Sequence, residues 1–124
     1  MPMNTLEVAT QLVELCKQHK NQEAMEKLYA PDIVSVEAFA PPTGGSAEAR
    51  GIEAVVAKSK WWAENNTVHS GSVEGPWPNG DRFIVRFTYE VTFKPTNERR
   101  KLDETALYTV KNGKIVREEF FYTR

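Results

Sequence analysis

The chain begins with a hydrophobic period of 3.6 and ends with a period of 2. Asn4-Thr5-Leu6-Glu7 fits a capping box, in which Asn4 caps the first turn and Glu7 reaches back to it. Leu6, Ala9, Val13 and Cys16 follow at helical spacing, with Leu12 and Leu15 flanking the stripe. A second, short helix is predicted from about Asn21 to Tyr29, apolar at Ala24, Met25 and Leu28 and closed by Pro31. Ile33 to Val36 reads as a short strand. Glu37 to Gly51 contains Pro41-Pro42 and Gly44-Gly45-Ser46, which neither helix nor strand tolerates, so a long loop is predicted; such loops serve as lids or as plain connections. A third helix spans roughly Ile52 to Glu64, with Ile52, Val55, Val56, Ser59 and Trp62 on one face and Trp61 on its flank.

From Thr67 the alternation changes. Phe83, Val85, Phe87, Tyr89, Val91 and Phe93 interleave with Ile84, Arg86, Thr88, Glu90, Thr92 and Lys94, a long strand with one apolar and one mostly polar face. Pro78-Asn79-Gly80-Asp81 and the stretch from Pro95 to Arg100 supply turns on either side. Asn112-Gly113 is the strongest hairpin signal in the chain. A two-residue turn there pairs Lys111 with Lys114 and sets an unbroken register. Thr109/Val116, Leu107/Glu118, Thr105/Phe120 and Asp103/Tyr122 then share one face, and Val110/Ile115, Tyr108/Arg117, Ala106/Glu119 and Glu104/Phe121 the other. Both faces mix apolar and charged groups, which suits a sheet covered by helices on one side and in part by a second subunit on the other.

Composition narrows the field. With 124 residues, 40% of them hydrophobic and 27% charged, the chain fits one α+β domain over residues 1–124 with an ordinary core. The net charge is −1 with signs interleaved, which excludes the electrostatic footprint of a nucleic-acid or membrane-surface partner. Arg99-Arg100-Lys101 reads as a solvated hairpin tip. Cys16 is the sole cysteine, on an apolar helix face, and there is no Cys/His array to hold a metal. No cofactor is expected. No basic leader or span of transmembrane length is present, so the default expectation is the cytoplasm.

Several segments, taken in order, resemble one superfamily. Leu28-Tyr29-Ala30-Pro31-Asp32-Ile33-Val34-Ser35-Val36-Glu37 is similar to the helix-to-strand junction of the nuclear-transport-factor-two-like superfamily, in its SnoaL-like branch. Gly51-Ile52-Glu53-Ala54-Val55, Lys60-Trp61-Trp62, Val68-His69, Gly80-Asp81-Arg82-Phe83 and the run from Gly113 to Tyr122 extend the resemblance over nearly the whole chain. It implies a cone-shaped, cystatin-like fold, with a curved antiparallel sheet wrapped around N-terminal helices. It also implies a pocket at the open end and a homodimer through the sheet. The superfamily includes polyketide cyclases, ketosteroid isomerases, dehydratases and non-catalytic binding modules, so fold does not settle activity. By the resemblance Glu37 falls where the steroid isomerases place their general base. Val13 and Thr105 fall where those enzymes place their two oxyanion donors, which this chain therefore lacks in that design.

Three catalytic candidates emerge, Glu37, His69 and Glu118. Glu37 sits at the mouth of the loop; the bland alternative is a surface carboxylate. His69 has the side chain suited to proton transfer near neutrality, against a hydrogen-bonded structural histidine. The resemblance turns Glu118 inward among apolar neighbours, where it must be paired or protonated. Pairing with His69 would make a dyad, and Arg86 is the structural alternative. Trp62, Tyr89, Thr105, Phe120 and Tyr122 are the candidate ligand-binding residues, for a small apolar or aromatic molecule. The readings are a cofactor-free isomerase, cyclase or dehydratase, a non-catalytic binding protein, or a dimerisation module. An outer face of Arg86, Thr88, Glu90, Tyr108, Arg117 and Glu119 is the expected dimer surface.

Overall fold

The computed structural model describes residues 2–41 and 44–123. The capping box forms: the Asn4 carboxamide accepts from the Glu7 backbone N–H at 2.9 Å, and the Asn4 N–H donates to Glu7 Oε1 at 3.0 Å. It starts helix α1, Thr5–Lys17. The buried stripe is Val8, Ala9, Leu12, Val13 and Cys16, whereas Leu6 is 55% exposed and turns away from it. Helix α2 runs Asn21–Leu28 and passes straight into strand β1, Tyr29–Val36, four residues earlier than the apolar run suggests. Pro31 therefore lies within a strand, at an exposed position.

The long connection after β1 is not wholly irregular. Glu48–Arg50 forms a short strand, β2, antiparallel to β1, while Pro42 and Thr43 lie outside the described residues. Gly51, at φ 88°, turns the chain into helix α3, Ile52–Asn65, a backbone conformation that glycine adopts without steric cost. The meander follows as β3 (Asn66–Asn79), β4 (Arg82–Phe93), β5 (Glu98–Lys111) and β6 (Lys114–Phe121). The sheet order is β2-β1-β6-β5-β4-β3. Its pairings are antiparallel except for β1 with β6, which run parallel across the long crossover made by α3 and four strands. The curved sheet cups the helices. Phe83, Val85, Phe87, Ala106, Tyr108, Val110 and Ile115 on its inner face pack against Leu12, Val13, Leu28 and Val55.

The β5–β6 hairpin corrects the sequence register. Asn112 and Gly113 take positive φ values of 52° and 76°, as the predicted two-residue turn requires, and Lys111 pairs with Lys114 and Val110 with Ile115. Thr109 then pairs with Arg117, leaving Val116 as an extra residue in a β-bulge. Below the bulge, Tyr108 opposes Glu118, Ala106 opposes Phe120 and Leu107 opposes Glu119. One inserted residue exchanges the faces of β5 relative to β6. Tyr108 therefore faces inward and leaves the expected outer surface, while Thr105 joins the outer row of Arg86 and Phe121.

Candidate functional site

Between the helices and the inner face of the sheet lies a cavity of about 170 Å³. Its helical wall is Leu12, Cys16, Asn21, Ala24 and Met25, and its roof is Val55, Lys58, Ser59 and Trp62 of α3. The sheet contributes Phe87, Tyr89, Glu104, Tyr108, Glu118 and Phe120, with Tyr29 and Glu37 from β1 and the residue after it. Trp62, Tyr89 and Phe87 form a continuous aromatic wall, with ring centroids 6.1 Å apart at both steps. Gly71 on β3 makes room for it, since a Cβ there would stand 2.3 Å from Tyr89 Cδ1. Gly71→Ala is accordingly expected to displace the Tyr89 ring and cost about 1–3 kcal/mol by overpacking. Urea denaturation, with the Tyr89 ring followed by NMR, checks this; an unshifted ring would refute it.

Much of the polar lining forms one hydrogen-bonded chain. Tyr122 donates to Glu37 Oε1 at 3.1 Å, and Lys58 Nζ donates to Glu37 Oε2 at 2.8 Å and to Ser35 Oγ at 2.5 Å. The Ser35 hydroxyl donates to Glu118 Oε1 at 2.7 Å, and the Tyr29 hydroxyl donates to Glu118 Oε2. Lys58 also lies 5.3 Å from the Phe120 ring centroid, a cation–π distance. Glu118 is only 3% exposed, and burial raises its carboxyl pKa against the opposing pull of the Tyr29 and Ser35 hydrogen bonds. Desolvation, with Glu118 nearby, likewise pushes the Cys16 thiol up to about 12, which leaves it a poor nucleophile.

Glu104 stands apart from this chain. Burial foremost, then repulsion from Glu37 and Glu118, outweighs the attraction of Lys58 and pushes its carboxyl up to about 7. It has no hydrogen-bond partner among the described residues. A carboxyl that titrates near neutrality in a cavity can both give and take a proton. An unbroken hairpin register would put Glu104 on the outer face; the bulge at Val116 turns it inward. The signal that would have found it is on the other side of β5, where Phe87 of the apolar face pairs directly with Glu104.

The sequence-derived candidates divide. Glu37, Glu118, Trp62, Tyr89 and Phe120 line the cavity, and Tyr122 reaches it through Glu37. His69 does not. It lies exposed where the β3–β4 pairing shifts register, 2.7 Å from Thr92 Oγ1, so the proposed pair with Glu118 does not form. Arg86 is also outside, in a two-point contact with Asp103 at 3.0 and 2.7 Å, and Thr105 faces outward with it. Among the described residues no His, Cys, Asp and Glu cluster could hold a metal ion, and no helix is long and apolar enough to cross a membrane.

Residues 3–122 match the model of a family described as the SnoaL-like domain. A protein of known structure from Mesorhizobium loti, described as a candidate SnoaL-like polyketide cyclase, is 52% identical; the match covers 97% of this chain and all of that one, with a TM-score of 0.90. An NTF2-like protein from Burkholderia thailandensis is 20% identical with a TM-score of 0.81, over 98% of this chain and 92% of that one. A candidate isomerase from Bacillus subtilis is 16% identical with a TM-score of 0.77, over 98% and 90% of the two chains. The last two show likeness of fold. A comparison with curated proteins gives no match.

Proposed function

This chain belongs to the family of SnoaL-like domains, and from that premise we propose that its cavity binds a small, largely apolar molecule and carries out cofactor-free acid–base chemistry on it. The observation that carries the reading is Glu104, a cavity carboxyl pushed up to about 7 with no internal partner among the described residues. Beside it Glu37 is a carboxylate in an ion pair with Lys58 at 2.8 Å. A carboxyl raised toward neutrality beside an ion-paired one is an arrangement that acid–base catalysis can use.

Glu37 takes a proton from a carbon next to a carbonyl, and that C–H electron pair becomes the carbon–carbon double bond of an enol. The carbonyl oxygen receives the proton of Glu104. In a β,γ-unsaturated ketone Glu37 returns its proton to the γ-carbon while the enol O–H gives its proton back to Glu104, which moves the double bond into conjugation. In a β-hydroxy ketone the enol O–H returns its proton to Glu104 as the β-hydroxide leaves as water with the proton held by Glu37. Size limits the ligand: an apolar cavity of roughly 150 Å³ accommodates benzene, so about 170 Å³ suits a body of one ring. Incubation with single-ring ketones in heavy water tests this. The expected result is accelerated deuterium uptake next to the carbonyl, lost in Glu104→Gln. Uptake that is no faster than in buffer for every ketone would leave the alternative, a binding module without chemistry.

The outer sheet face supports a homodimer. Trp77 pairs with Ile84, and Ile84 with Leu107, giving an apolar row with Phe121 beside it; Trp77 and Phe121 are each 53% exposed. The ion pairs Arg86–Asp103 and Arg117–Glu119 lie on the same face. A row of this kind is what a second copy would cover. Light scattering at micromolar concentration is expected to give twice the chain mass, and Ile84→Glu is expected to give a monomer. A monomeric mass for the unaltered chain would remove the dimer. A cytoplasmic location accords with the single unpaired thiol.

A further inference from the structure

The polar groups of the cavity form two sets. Glu37, Lys58, Ser35, Glu118 and Tyr29 satisfy one another. The hydroxyls of Tyr108 and Tyr89 and the carboxyl of Glu104 have no hydrogen-bond partner among the described residues. Tyr108 is the most constrained. It is 2% exposed, and its ring stacks on Phe83 with centroids 4.8 Å apart and planes 15° apart. Packing thus sets where the hydroxyl lies. That oxygen is not among the polar atoms sealed off by protein without a partner, so it is reached from the cavity that Tyr108 lines. A phenol removed from water without a partner costs free energy that a ligand acceptor recovers.

We propose that Tyr108, with Tyr89 beside it, is the recognition element for a ligand oxygen, and that the ligand is an uncharged compound carrying a carbonyl-type oxygen on an apolar single-ring body. The inference rests on the reading of the cavity as a ligand site. Both phenols remain donors at any physiological pH, because burial pushes Tyr89 and Tyr108 above the ordinary tyrosine range. A ligand carboxylate would meet Glu37, Glu104 and Glu118 against Lys58, the one cation among the described lining residues, and is disfavoured. A neutral oxygen satisfies the donors and adds no charge to a cavity already rich in carboxyls. The bulge at Val116 is what opposes Tyr108 to Glu118 inside the cavity.

The test compares cyclohexanone with methylenecyclohexane, which has the same shape and no oxygen, by NMR titration. The unaltered protein is expected to favour the ketone by about tenfold, the worth of one hydrogen bond at the upper end of its usual range. Tyr108→Phe is expected to abolish that preference through loss of ketone affinity alone, with the melting temperature unchanged. A preference that survives in folded Tyr108→Phe, or a stronger affinity for cyclohexylammonium than for cyclohexanone, would overturn the proposal. The unaltered protein gives a second readout: the infrared carbonyl band of bound cyclohexanone should lie below its position in hexane. A band at the hexane position overturns the proposal whatever the variant does. If deuterium uptake is silent while the oxygen preference depends on Tyr108, catalysis is removed and this inference stands.

Discussion

Replacing Glu104 by glutamine is expected to stabilise the fold above pH 7 while removing its chemistry. The carboxyl is raised from 4.5 to about 7 by burial and by two neighbouring carboxyls. The folded chain therefore binds this proton more tightly than the unfolded chain does. The associated stability is fully present below about pH 4.5 and is lost as pH rises through 7, where the folded state must ionise a buried group. At about 1.4 kcal/mol per pKa unit, the penalty above pH 7 reaches about 3 kcal/mol. A glutamine side chain carries no such charge. Urea denaturation should show Glu104→Gln near parity with the unaltered chain at pH 4.5 and more stable by up to about 3 kcal/mol at pH 8. The catalysed deuterium uptake should fall by roughly 10²–10⁴-fold, the usual range for loss of a general acid or base, and in the unaltered protein it should decline above pH 7 as Glu104 loses its proton. Equal stability of the two proteins at both pH values would mean that Glu104 is well solvated and that the assignment is wrong.

The second large effect separates two buried tyrosines that composition alone cannot distinguish. Tyr29→Phe is expected to cost about 2 kcal/mol at pH 7, because it deprives Glu118, 3% exposed, of one of its two hydroxyl donors. Tyr108→Phe removes a hydroxyl with no partner among the described residues and keeps the stack on Phe83. It should change stability by no more than about 0.5 kcal/mol, or raise it slightly, because an unpaired buried polar group is being deleted. Denaturant unfolding of both variants decides the matter. A loss in Tyr108→Phe as large as that in Tyr29→Phe would show that Tyr108 holds the protein together and is not held open for a ligand. The contrast expresses a general division in the cavity: Tyr29 and Glu118 serve the closed network, while the polar atoms of Tyr108, Tyr89 and Glu104 have no hydrogen-bond partner among the described residues.

That division changes the chemical argument drawn from the family resemblance. The resemblance puts the oxyanion-donor positions of the steroid isomerases at Val13 and Thr105, but Thr105 faces outward, so that correspondence does not carry over for it. Donors are not missing from the cavity, however; Tyr108 and Tyr89 supply hydroxyls from the sheet. Glu118, the most pointed carboxylate in the sequence, proves to be a buried anchor that holds Ser35 and, through it, Lys58. The carboxyl pushed up to about 7 is Glu104, further along the adjacent strand β5.

Local signals determined much of this protein. The capping box at Asn4, the alternation from Phe83 to Phe93 and the Asn112-Gly113 turn each involve residues close in sequence, so each is legible without the fold. The inward turn of Glu118 follows from family geometry, and Glu37, Trp62, Tyr89 and Phe120 line the cavity. The tertiary structure decided the rest, for two physical reasons. A β-bulge costs one residue and leaves almost no compositional mark, yet it inverts every partner below it; Val116 moved Tyr108 and Glu104 inside and Thr105 outside. A histidine at a strand start carries no signal of which side its ring will take, and the register shift beside His69 left it in solvent, bonded to Thr92. The pKa of Glu104 is likewise a property of three carboxyls and a lysine brought from four separate segments, and only the closed fold sets their distances.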